Sequence, residues 1–79
     1  MNIDEISIRP SKHFILGWMR KWDLDIYKLK DLLKRANITK VGKNKYEAFV
    51  RTKNKSIKII FGLYEEEKEI FIIIGSEGK

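Results

Sequence analysis

Apolar and polar positions alternate along this chain in two rhythms, helical in the first half and strand-like in the second. Residues 3–9 read as a short strand with Ile6 and Ile8 on one face, and Pro10 ends it. Ser11 is a suitable helix N-cap, because its hydroxyl accepts from an exposed N–H of the first turn. Over residues 12–22, Phe14, Ile15, Trp18, Met19 and Trp22 form one apolar stripe, with His13, Gly17 and Arg20 opposite and Lys21 near the border. Asp23 or Asp25 then caps a second helix over residues 25–36, whose inner stripe is Ile26, Leu29, Leu32, Leu33 and Ala36. Asn37 suits the closing position of that helix, since Asn tolerates the left-handed conformation.

Beyond Asn37 the period falls to two. A short extended piece over residues 38–41 leads to a turn at Gly42, Lys43 and Asn44. Tyr46, Ala48 and Val50 then alternate with Lys45, Glu47, Phe49 and Arg51. Thr52, Lys53, Asn54 and Lys55 read as a hairpin connection. Ile57, Ile59, Phe61 and Leu63 share one face of the next strand, and Lys58, Ile60, Gly62 and Tyr64 share the other. After the charged turn over residues 65–68, residues 70–74 (IFIII) are apolar on both faces, as an interior strand requires. Residues 76–79 read as a loose end. The expected fold is α+β in the order β-α-α-β-β-β, an antiparallel sheet with both helices packed on one face, and residues 1–79 form one domain.

Composition narrows the possible chemistry. The chain has 79 residues and no cysteine, so it has no disulfide, no thiolate nucleophile and no Cys-based zinc site. One histidine without cysteine gives no metal-ligand set, and no glycine-rich phosphate loop is present. No cofactor is expected. The N-terminus lacks a signal-peptide pattern and no apolar run approaches a membrane span, so a cytoplasmic protein without a membrane partner is expected.

Charge adds the strongest functional signal. The net charge is +6, and residues 38–64 hold seven Lys/Arg against Glu47 alone, whereas residues 65–79 are acidic. A concentrated positive block attracts phosphate polymers. Lys45, Arg51, Lys53, Lys55 and Lys58 are therefore the candidate phosphate contacts, and Tyr64 is a candidate for stacking on an unpaired base. The competing account is a solvated hairpin whose lysines keep a sheet edge from aggregating.

Ser11-Lys12-His13 at a helix start, the helical hairpin, and GKNKYEAFV over residues 42–50 resemble a family of small domains similar in layout to the RelE/ParE toxin superfamily. The resemblance covers residues 11–74. RelE-type members are ribosome-dependent mRNA endonucleases and ParE-type members inhibit a topoisomerase, so the resemblance implies an RNA-cleaving or toxin-like role without fixing which. Joined to the basic block, it gives the expectation of a basic RNA-binding protein, a possible metal-independent mRNA endonuclease, with a small acidic antitoxin as partner. His13 would transfer a proton and Arg20 would stabilise charge. The chain departs from the pattern at Gly17, where related domains commonly carry arginine. The alternatives are a non-catalytic nucleic-acid-binding module and a protein-interaction domain.

Overall fold

The computed structural model describes residues 5–78. Ile3 and Asp4, the expected start of the first strand, and Lys79 lie outside the described residues. The elements are β1 (Ser7–Pro10), α1 (Lys12–Phe14) continued by a π-helical segment (Ile15–Met19), α2 (Ile26–Arg35), β2 (Asn37–Lys40), β3 (Lys45–Arg51), β4 (Ser56–Tyr64) and β5 (Glu69–Gly78). The five strands make one sheet in the order β1-β5-β4-β3-β2. The α+β class stands, with two corrections to its plan. The piece after α2 is a strand in its own right, paired antiparallel with β3. The sheet is mixed rather than antiparallel, because β1 lies parallel to β5, with Ile8 opposite Ile70. Local turns join β2 through β5 and enforce antiparallel neighbours. The helices separate β1 from its partner and leave its direction free.

Local chemistry sets the helix ends. The Phe14 N–H donates to Ser11 Oγ at 3.1 Å, and the Lys28 N–H donates to Asp25 Oδ1 at 2.8 Å, so Ser11 and Asp25 are the N-caps. Asp23 instead closes the first helix. It takes a left-handed φ of 53°, its N–H donates to the Arg20 carbonyl at 3.3 Å, and the Leu24 N–H donates to the Met19 carbonyl at 2.8 Å. The second helix has no left-handed closure at Asn37. Ala36 is already extended and Asn37 opens β2.

The core lies between the helices and one sheet face. Phe14, Leu29, Leu32 and Leu33 meet Ala48 and Val50 of β3, Ile57, Ile59, Phe61 and Leu63 of β4, and Ile70 and Ile72 of β5. Fully burying each of the larger side chains contributes about 1.5–3 kcal/mol. Ile15 does not join them and stays 43% exposed. The π-helical widening puts extra residue length into the turn, which breaks the expected stripe at Ile15 while Phe14, Trp18, Met19 and Trp22 stay inside. The close-packing glycine is Gly75, where a Cβ would come 2.8 Å from Phe14 and 2.9 Å from Trp18. Nothing lies within 4 Å of the corresponding point on Gly17.

β5 carries the main surprise. Ile60 pairs with Ile74 but Phe61 pairs with Ile72, so Ile73 is an extra residue, a β-bulge. Ser11 holds it: the Ser11 hydroxyl donates to the Ile73 carbonyl at 3.1 Å and the Ser11 N–H to the Ile72 carbonyl at 2.9 Å. Past the bulge the side-chain phase reverses. Ile74 points away from the helices, while Gly75 and Glu77 lie on the helix side, opposite Ile59 and Ile57. Ser76, Glu77 and Gly78 belong to the strand, contrary to the loose end expected over 76–79. The Glu77 carboxylate anchors them by accepting from Lys21 Nζ at 2.9 Å and Trp22 Nε1 at 2.7 Å, with Lys55 Nζ at 3.0 Å. Those three donors hold its pKa down at about 2.

Candidate nucleic-acid interface

The two helices cover one face of the sheet and leave the other open. The register lists the occupants of the open face row by row. Phe49 of β3 stands beside Lys58 of β4, which stands beside Ser76 of β5. Glu47, Ile60 and Ile74 form the next row. Then come Lys45, Gly62, Phe71 and, on β1, Arg9. Tyr64 and Glu69 lie at one end, and Arg51 and Ser56 at the other. Phe49, Ile60 and Phe71 are half-buried with no layer of described residues above them, while Tyr64 is 44% and Ile74 46% exposed. The face is thus partly apolar and aromatic, with Lys58 and Glu47 set among Phe49, Ile60 and Ile74 and with Arg9, Lys45 and Arg51 nearer its margins.

Electrostatic partnering divides those cations. Arg9 Nη2 lies 3.0 Å from Glu69 Oε1, with its guanidinium carbon 5.9 Å from the Phe71 ring centre. Lys58 Nζ lies 4.0 Å from Glu47 Oε1. Lys45, Arg51 and Lys53 make no ion pair with a carboxylate among the described residues, and neither do Lys40 and Lys43. Exposed pairs of this kind contribute little, so Arg9 and Lys58 remain able to exchange a carboxylate for a phosphate.

Of the residues expected from the sequence, Lys45, Arg51, Lys58 and Tyr64 share this face, with Tyr64 and Arg51 at opposite ends of it. Lys53 sits on the β3–β4 connection, fixed by Thr52, whose N–H and hydroxyl donate to the Lys55 carbonyl at 2.8 and 2.9 Å. Lys55, also expected as a phosphate contact, already has a carboxylate partner in Glu77, 3.0 Å from its Nζ. His13 and Arg20 are exposed in the helical layer, across the sheet from Lys45, Arg51 and Lys58. Their seven-residue spacing implied a common face only for a regular α-helix, and the π-helical segment lies between them. Phe49, Ile60, Phe71 and Ile74 join this face without being among the candidates the sequence points to. Strand alternation already put Phe49 and Ile60 in phase with Lys45 and Lys58, whereas the bulge hid Ile74.

The rim at the β2–β3 turn is shaped. The Leu63 N–H donates to the Asn44 carbonyl at 2.9 Å, and the Val41 N–H donates to the Lys45 carbonyl at 2.9 Å, so the turn is tied against β4. It borders two clefts that share Tyr64. One, about 330 Å³, opens between the turn, Gly62, Tyr64 and Ile73. The other, about 470 Å³, sets Lys40 and Lys43 against Glu65, Glu66 and Glu67. Among the described residues no three His, Asp or Glu side chains cluster to hold a metal ion, and no helix is long and apolar enough to cross a membrane. Compared with known protein families, with curated proteins and with solved structures, the chain matches none.

Proposed function

We propose that the protein binds single-stranded nucleic acid, RNA foremost, across the open face of its sheet. One observation carries this reading: the strand register puts Phe49, Phe71 and Tyr64 on the same uncovered surface as Lys45, Arg51 and Lys58. A single strand offers what such a surface takes, namely unpaired bases for its apolar and aromatic side chains and phosphates for the cations set among and around them. A duplex hides its bases and would engage the cations alone.

The reading is one of binding without cleavage. His13 and Arg20, the residues that the RelE/ParE resemblance would use for proton transfer and charge stabilisation, stand in the helical layer away from this face. The test is titration of labelled single-stranded and duplex oligonucleotides of equal charge, followed by fluorescence anisotropy. Binding should favour the single strand, and Phe71→Ala should weaken it while leaving duplex binding nearly unchanged. Equal affinity for both forms, or no binding at low salt, overturns the proposal.

A further inference from the structure

We infer that the cleft between the β2–β3 turn and Tyr64 is a subsite for one nucleotide unit of the bound strand. The base would lie on the Tyr64 ring and the phosphate between Lys43 and Lys45. The inference rests on the function proposed above and specifies where a base is held.

Gly62 makes the platform. A Cβ there would come 3.3 Å from both Cε2 and Oη of Tyr64, so the ring lies low across the strand, over a residue that has no side chain. A ring supported from beneath and still 44% exposed presents surface to solvent on which a planar heterocycle can stack. The walls match a nucleotide. Val41, 49% exposed, and Ile73, 37% exposed, are the apolar ones. Lys43 and Lys45 line the same cleft and make no carboxylate ion pair among the described residues; Lys43 also borders the adjoining cleft with Glu65, Glu66 and Glu67, whereas Lys45 does not and is the main source of charge complementarity to a phosphate. Asn44 stands between the two lysines, and its side-chain amide both donates and accepts, as the edge of a base requires. The bulge at Ile73 and the bond from Leu63 to Asn44 fix the two sides of the cleft. From Lys45 the open face continues past Gly62 toward Phe71, so the strand has a path beyond the first nucleotide.

The experiment compares an oligonucleotide with an abasic oligomer of the same phosphate count, against wild type, Tyr64→Ala, Tyr64→Phe and Lys43→Ala. Tyr64→Ala should weaken the base-bearing strand about tenfold and leave the abasic one unchanged. Tyr64→Phe should keep most of the wild-type affinity, because the platform remains. Lys43→Ala should weaken both oligomers alike. A free nucleoside monophosphate should bind far more weakly than the strand, since it leaves the rest of the face empty. Strand binding that persists unchanged in Tyr64→Ala, or a free nucleotide that binds as tightly as the strand, overturns the subsite while the wider function stands. Absence of all binding overturns the wider function instead. Circular dichroism of each variant shows that the fold is retained.

Discussion

Lys45 and Arg51 offer the sharpest test of the proposal that the open face binds an anionic polymer. Neither makes an ion pair among the described residues, whereas Lys58 lies 4.0 Å from Glu47 and Lys55 lies 3.0 Å from Glu77. An unpaired cation that contacts a phosphate displaces a condensed counterion. For a single strand, each such contact adds about 0.7 to the slope of log affinity against log salt. The double variant Lys45→Ala/Arg51→Ala should therefore flatten the slope by about 1.4. Between 50 and 200 mM salt, that difference amounts to roughly a sevenfold change in relative affinity. Lys55→Ala should alter the slope far less, since Glu77 holds that ammonium whether or not a strand is bound. Lys12→Ala, in the helical layer, should not alter it. Anisotropy titrations at four or five salt concentrations give the slopes directly. An unchanged slope in the double variant, or an equal change in Lys55→Ala, would refute the assignment of the two unpaired cations as phosphate contacts.

Three further outcomes concern the scaffold. Gly75→Ala puts a methyl group within 3 Å of Phe14 and Trp18, and overpacking of that kind costs about 1–3 kcal/mol. Thermal unfolding should show a midpoint lowered by roughly 4–8 °C per kcal/mol, and an unchanged midpoint would mean that the first helix does not seat on β5 as described. Ser11→Ala removes the first helix's N-cap, worth about 1 kcal/mol, and also the hydroxyl that donates to the bulge at Ile73, so urea unfolding should reveal at least that loss. Glu77 has its pKa lowered from 4.5 to about 2, so its ionised form stabilises the fold fully above pH 4.5, and that stabilisation is lost as pH falls toward 2. The melting difference between wild type and Glu77→Gln should accordingly be constant near neutrality and shrink across that window; a difference that does not vary with pH would remove the ion cluster as its cause.

The elements most legible in the sequence were those with one clean period and a local terminator. Of the inner row read for α2, Leu29, Leu32 and Leu33 are buried and Ala36 packs half-buried against the core, while Ile26 is half-buried outside the core cluster. Ser11 and Asp25 cap because their side chains reach N–H groups three residues on, a relation contained in the local chain. The hairpin at Thr52 through Lys55 is local in the same sense. Relations between distant segments were not legible. Nothing in residues 7–10 announces that they pair parallel with residues 69–72, since that choice depends on where the helices return the chain. The π-helical segment was equally hidden, because Phe14, Ile15, Trp18, Met19 and Trp22 satisfy a regular helix on paper. The packing of Phe14 and Trp18 against Gly75, sixty residues away, belongs to the folded state alone.

The bulge at Ile73 explains why the site was only half readable. Residues 70–74 are apolar without interruption, so no alternation marks where the phase of β5 changes. A regular strand would have carried the phase of Ile70 and Ile72 through to Ile74 and turned it toward the helices. Gly75 would then face the open side, and Phe14 and Trp18 would lose the flat place they occupy. The inserted residue turns Ile74 out beside Ile60, presents Gly75 to the aromatic pair, and brings Glu77 within reach of Lys21, Trp22 and Lys55. One extra residue therefore seats the first helix and enlarges the apolar surface of the opposite face. Stability and the candidate interface are coupled through it. A single-residue deletion at Ile73 should damage both, lowering the thermal midpoint and the affinity for a single strand in the same variant. A deletion variant that keeps wild-type stability while losing affinity would show that the bulge serves the open face alone, and the coupling would be wrong.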